Sequence, residues 1–155
     1  MILVSVRTPP ARYPIHVTPG LLSRAGSELR RLGRGRLLLV VTDRTVARLY
    51  GRAFLASVKR AGFDAEVIAL EPGERSKTLG VTRRIAARWA KRGADRGALV
   101  AALGGGVVSD AAGFAAATYA RGLDWVVFPT TLLAQADASI GGKVGVNLPS
   151  AKNLL

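Results

Sequence analysis

With 155 residues, 49% of them apolar, the chain has enough to bury for one domain with a single core, which excludes global disorder. It has no cysteine, which excludes disulfides and thiolate metal sites and fits a reducing cytoplasm; its longest apolar runs, such as Leu37–Val41, are too short to span a bilayer. The formal charge of +13 invites a nucleic-acid partner, yet in residues 97–155 the cations Arg121, Lys143 and Lys152 are cancelled by Asp110, Asp124 and Asp137, so the whole excess lies in residues 1–96.

Strand and helix alternate along the chain. Met1–Val6 and Tyr13–Val17 are predicted strands, and Met1–Thr8 lacks the apolar stretch and cleavage site of a signal peptide. After a turn at Thr18-Pro19-Gly20, Leu22, Ala25, Leu29 and Leu32 fall at helical spacing, which predicts a helix over 21–32 that stops at Gly33. Arg36–Thr42 is a strand apolar on both faces, as parallel sheets covered by helices require. A helix over 45–61, interrupted near Gly51, leads to a strand over 65–70. Thr78–Arg92 is an amphipathic helix with Val81, Ile85 and Trp89 on one stripe. Arg83, Arg84, Arg88, Lys91 and Arg92 lie opposite, a solvated face without the interleaved aromatics of a base-stacking surface, so no nucleic-acid partner is expected. A buried strand over 98–103 runs into three glycines, then an alanine-rich helix over 107–119, a strand over 125–128 and a short helix from Thr130. From Gly141 the chain is Gly-rich and irregular, and Ser150–Leu155 reads as the entrance to another element. This order predicts an open, mainly parallel α/β sheet with helices on both faces.

Several segments can carry chemistry. In Leu103-Gly104-Gly105-Gly106-Val107-Val108-Ser109-Asp110, glycines between a strand and a helix start can approach a phosphate closely, adopt positive φ and present free N–H groups at the positive end of a helix dipole. A tight turn without ligand is the alternative. Asp43, at a strand end, suits two ribose hydroxyls or equally a helix N-cap. Pro72–Lys77 reads as a helix-start turn with an exposed Glu74–Lys77 ion pair. Pro129–Lys143 is more distinctive, because its polar side chains follow a buried strand at the end where open sheets bind ligands. Asp137 there lies in an alanine-rich setting that predicts burial and a need for a partner. Lys143 follows two glycines, Lys152-Asn153 adds a cation and an amide, and Arg121 precedes the last strand. Three cations near a Gly-rich crevice suggest phosphate or carboxylate binding. The single His16 reads as structural, and without cysteine or a second histidine no metal site is expected within these residues.

Taken together, Pro-Gly-Glu-x-x-Lys at 72–77, Gly-Gly-Gly-Val-Val-x-Asp at 104–110, Arg-Gly at 121–122, Pro-Thr-Thr-Leu-Leu-Ala-Gln at 129–135, Asp-x-Ser-Ile-Gly-Gly-Lys at 137–143 and Lys-Asn-Leu at 152–154 resemble the 3-dehydroquinate synthases. The resemblance runs in order over essentially the whole chain. It implies a Rossmann-like NAD domain as the N-terminal half of a two-domain enzyme, with a helical, metal-binding domain beyond residue 155. The implied reaction converts 3-deoxy-D-arabino-heptulosonate 7-phosphate to 3-dehydroquinate and phosphate in the shikimate pathway, a phosphate-eliminating lyase step in which NAD is regenerated. Asp43, Gly73, Glu74 and Lys77 would hold the adenosine side of NAD, and Gly105, Gly106, Val107, Val108, Ser109 and Asp110 the pyrophosphate. Thr130, Thr131 and Leu133 would line the cofactor, with Lys152 at the nicotinamide-side ribose and Lys143 close by. Asp137, Lys143 and Asn153 would contact the substrate's ring hydroxyls. Arg121 would reach the substrate phosphate, with the partner subunit's site as the alternative address, since the family is often a homodimer.

Ser109 stands where the family usually has glycine, and Thr45 where an asparagine is common. The family's zinc or cobalt ligands, a Glu and two His, fall beyond residue 155, so this chain alone is expected to be inactive. A sibling sugar phosphate cyclase and an NAD-dependent polyol or glycerol dehydrogenase of the same fold are the rival readings, with a basic nucleic-acid module behind them.

Overall fold

A computed structural model describes residues 2–8 and 11–153. Met1, Leu154 and Leu155, which belong to the predicted first strand and last motif, lie outside these residues. Strands β1 (Ile2–Thr8) and β2 (Ala11–Val17) form an antiparallel hairpin, with Ile2 opposite Val17 and Val6 opposite Tyr13. The remaining strands, β3 (Leu37–Asp43), β4 (Asp64–Leu70), β5 (Leu99–Gly104) and β6 (Asp124–Pro129), form one parallel sheet in the order β4-β3-β5-β6. The chain leaves β3 toward β4 and then crosses to β5 on the other side of β3. The boundary between β3 and β5 is therefore the switch point, where open α/β sheets leave a crevice beyond the strand ends.

Why β3 and β5 lack alternation is visible in what covers them. Leu39, Val41, Val100 and Ala102 pack with α4 (Leu79–Lys91) and α5 (Gly106–Thr118). Leu38, Val40, Leu99 and Ala101 pack with α1 (Ala25–Arg30) and α3 (Arg52–Arg60) on the opposite face. Each face buries one set of alternate residues, so both sets must be apolar. The alanine-rich α5 lies close to its neighbours. A Cβ at Gly113 would fall 2.4 Å from Val144 and 2.7 Å from Trp125, so a larger residue there would push the helix away.

Two of the predicted helices need correction. The helix predicted over 21–32 is a 3-10 turn, Leu21–Arg24, followed by the six-residue α1. No side chain caps Gly20, and the Ser23 hydroxyl instead donates back to the Gly20 carbonyl. The interruption near Gly51 is a π turn, Ala47–Gly51, that joins α2 (Arg44–Val46) to α3 without a break, because Gly51 keeps helical angles (φ −58, ψ −42). The short helix after Thr130 also contains a π turn, Ala134–Ala138. Such turns arise when one extra residue is accommodated in a helix and are frequent beside functional sites.

Helices α1 and α3 meet at Gly26, where a Cβ would fall 2.3 Å from the Ser57 carbonyl oxygen. That close approach lets the buried Gly26 N–H donate to Ser57 Oγ at 3.0 Å. Ser57→Ala would leave this donor without a partner and is expected to lower unfolding stability by about 1–3 kcal/mol. Urea unfolding followed by circular dichroism reads the change; an unaltered midpoint would show the bond to be dispensable.

Candidate functional site

A cleft of about 230 Å³ opens beyond the C-terminal ends of β3 and β5. Asp43 and Val46 form one wall, Leu70, Glu71 and Gly73 the rim, and Gly105–Val108 with Thr131 the other wall. Register explains the placement. Thr42 pairs with Leu103, so Asp43 and Gly104 leave the sheet side by side. Helix α5 then begins at once, so its first residues, Gly106–Val108, line the cleft, and no side chain caps its start at Gly105.

Positive φ does not explain the glycines at 104–106: Gly105 has φ −83, and none of the three appears in the left-handed region. Close approach does. A Cβ on Gly105 would lie 3.0 Å from Thr131 Cγ2, and one on Gly104 would lie 2.5 Å from Val108 Cβ. The turn is therefore compressed between the end of β6 and the start of α5, where Thr130 N–H donates to the Gly104 carbonyl at 3.0 Å. Thr131 Oγ1 accepts from Ala134 N–H, which opens the short helix beyond it. Thr130 Oγ1 is buried with no hydrogen-bond partner among the described residues. Thr130 lies directly before the cleft-lining Thr131 but is not itself part of the lining.

Asp43 is the helix N-cap: Oδ1 accepts from Thr45 N–H at 2.8 Å and Val46 N–H at 2.9 Å. Both bonds fall on Oδ1, so Oδ2 is left over among the described residues, and the cap and the cleft-lining roles coexist in one carboxylate.

The predicted Glu74–Lys77 ion pair does not form. Lys77 is buried and makes an ion pair with Asp110, in the first turns of α5, while its Nζ also donates to Asn153 Oδ1. Glu74 Oε1 instead accepts from Asn147 Nδ2 at 2.8 Å, and Asn147 Oδ1 accepts from Asn153 N–H at 3.0 Å. The irregular segment after Gly141 thus returns to the start of α4, where Asn147 bridges to Thr78 and donates its N–H to the Lys77 carbonyl. This long-range return is what buries Lys77.

Two other expectations change. Asp137 is exposed rather than buried, because the π turn carries it on the outer side of the short helix while Ala134 takes the inner side. The three cations of residues 97–155 do not converge. Arg121 follows α5, whose 13 residues run about 20 Å from the cleft back to the N-terminal ends of the strands. It occupies a strained turn with positive φ at Ala120 (48°) and Arg121 (67°). Lys143, Lys152 and Leu133 are exposed and none is among the residues lining the cleft, and Gly141 and Gly142 (φ 91 and 71) turn the chain just before Lys143. Val107 and Ser109 lie in the first turn of α5, Val107 lining the cleft and Ser109 buried with its hydroxyl bonded to the Gly106 carbonyl. Glu71 was missed by sequence reasoning. The available signal was its position directly after β4, one residue beyond Leu70, the register partner of Asp43.

No group of three or more His, Cys, Asp or Glu side chains that could hold a metal comes together among the described residues. No helix among them is long and apolar enough to cross a membrane.

Comparison with known proteins places this geometry. A 3-dehydroquinate synthase of Pelotomaculum thermopropionicum is 46% identical over all 155 residues, which correspond to 42% of that protein. The chain thus spans about two fifths of the length of the curated relatives it matches. A 2-deoxy-scyllo-inosose synthase solved with carbaglucose-6-phosphate, NAD+ and Co2+ superposes with a TM-score of 0.91 at 25% identity, covering 99% of this chain and 42% of that one. The 2-epi-5-epi-valiolone synthase of Streptomyces hygroscopicus, solved with NAD+ and Zn2+, superposes with a TM-score of 0.83 at 33% identity, covering 98% and 41%. The family described as 3-dehydroquinate synthase N-terminal matches residues 67–155, more than half of the chain and the part that holds the glycine turn, Lys77 and the polar segment after β6, so the chain belongs to the 3-dehydroquinate synthase family.

Proposed function

We propose that this chain is the NAD-binding domain of a 3-dehydroquinate synthase, which converts 3-deoxy-D-arabino-heptulosonate 7-phosphate to 3-dehydroquinate and phosphate. The observation that carries this reading is the cleft at the switch point, with a carboxylate on one wall and a glycine-bounded helix start on the other. A pyrophosphate would suit the N–H groups of Gly106 and Val107 at the start of α5, which the side-chain-free Gly105 and Gly106 leave open to approach. Asp43 Oδ2 would accept from ribose hydroxyls, with Gly73, Glu74 and Lys77 on the same side. Thr131, which lines the cleft, and its neighbour Thr130 would flank the path, with Val108, Ser109 and Leu133 as neighbours. When bound, NAD supplies a hydride acceptor that returns the hydride within the same turnover.

Lys152 is assigned to the nicotinamide-side ribose. Asp137, Lys143 and Asn153 are assigned to the substrate's hydroxyls, their exposure leaving them open to a ligand. Arg121 stands too far from its own cleft to reach it, which favours the site of a partner subunit and hence a homodimer. The divalent metal of the family is assigned to the part of the relatives that this chain does not span; among the described residues no ligand set comes together. The higher identity to the synthase relative than to the sibling cyclases favours the dehydroquinate reaction.

Phosphate release from the sugar phosphate, with NAD and zinc or cobalt present, tests the reading. The 155-residue chain is expected to be inactive, and the same chain continued through the remaining length of its relatives is expected to release phosphate. Turnover by the short chain that survives chelation and repurification would contradict the division of labour; no turnover by the long chain would contradict the assigned reaction.

A further inference from the structure

We propose that Arg44 and Glu71 set the choice between the two nicotinamide dinucleotides: their ion pair at the lip of the cleft withholds a guanidinium from a ribose 2′-phosphate, so that the site takes NAD and rejects NADP. The inference rests on the reading of the cleft as a dinucleotide site and concerns two residues to which the family resemblance gives no role.

Strands β3 and β4 pair in parallel, with Asp43 opposite Leu70, so the next residues, Arg44 and Glu71, emerge side by side. Arg44 Nη2 lies 2.7 Å from Glu71 Oε1. The two side chains are 70% and 54% exposed, so no packing holds either in place and each is the other's principal restraint. Glu71 lines the cleft together with Asp43, whereas Arg44, paired with Glu71, is not among the lining residues.

An acid at this strand end suits the 2′-hydroxyl of NAD, and an arginine nearby suits the 2′-phosphate of NADP. Both residue types are present here, and Glu71 decides between them. It adds a second carboxylate at the lip of the cleft, and it engages one arm, Nη2, of the guanidinium that would otherwise be free to take a phosphate bidentately. Glu71→Gln reverses both effects at once, because the amide carries no charge and holds Arg44 weakly.

Calorimetric titration of the chain with NAD and NADP tests this in the original sequence, in Glu71→Gln and in Glu71→Gln combined with Arg44→Ala. The measured quantity is the ratio of the two affinities within one sample, which a partly misfolded variant does not alter. The original chain should prefer NAD by at least roughly tenfold. Glu71→Gln should narrow that ratio by about tenfold, and adding Arg44→Ala should restore much of it. An unmoved ratio in Glu71→Gln, or a gain that persists without Arg44, overturns the proposal while NAD binding stands. Absence of NAD binding by the original chain overturns the cleft assignment itself, and the proposal with it.

Discussion

Gly105→Val is expected to weaken NAD binding by at least tenfold, about 1.4 kcal/mol, while the chain stays folded. The new Cβ alone would lie 3.0 Å from Thr131 Cγ2, and a valine adds two methyl groups beyond it. Because Gly105 has φ −83, the backbone itself accepts valine, and the effect is one of occupied space. Thr131 must give way, or the methyls must fill the approach to the N–H groups of Gly106 and Val107. Either outcome blocks the path assigned to the pyrophosphate. Since the contact is with a side chain at the open edge of the sheet, the thermal midpoint should fall by only a few degrees. Calorimetry with NAD, paired with a circular dichroism melt, separates the two effects. A folded Gly105→Val chain that binds NAD as the original does would remove the phosphate cradle from the account.

Lys77→Met should be the most destabilising single change near the site, by about 2–4 kcal/mol. The ammonium is buried, its side chain 9% exposed, and it is the cation of Asp110, whose side chain is 19% exposed. Methionine keeps most of the volume but leaves that carboxylate without its counter-charge and Asn153 without its donor. The remaining solvent access of Asp110 places the cost in the lower part of the range for buried pairs. A double variant, Lys77→Met with Asp110→Asn, should recover a large part of the loss, because the unpaired charge is then absent. Urea unfolding of the single and double variants gives the coupling. If the two changes are simply additive, the pair does not interact as the geometry requires.

The sheet was legible in the sequence because burial on both faces leaves an unmistakable mark. Leu37–Val41 and Ala98–Leu103 carry no polar residue, and only a covered parallel strand can accept that. The glycine turn and the polar run after Phe128 were legible for a related reason, since small and polar residues crowd where a strand ends at a crevice. What escaped was set by contacts between residues far apart in the chain. Lys77 reads locally as an exposed helix-start cation, and only the return of Asn147 and Asn153 from a distance of some seventy residues buries it. Asp137 reads as buried because its neighbours are alanines, but the π turn rotates it outward, and helix phase within one extra residue is not written in composition. Arg121 looked close to the crevice along the chain, whereas α5 separates it by its own length. Glu71 was overlooked because a lone acid before Pro-Gly is common in turns; its meaning comes from the register that sets it beside Arg44.

The central claim, that the crevice beyond β3 and β5 is a dinucleotide site, is tested most directly by titrating the chain with NAD in a calorimeter. The chain corresponds to 42% of its synthase relative, so binding by these residues alone should be weak but saturable, with Kd on the order of 0.1–1 mM, and should be lost in Gly105→Val. No heat up to several times that concentration, on the order of millimolar, from a sample shown to be folded by circular dichroism would contradict the account.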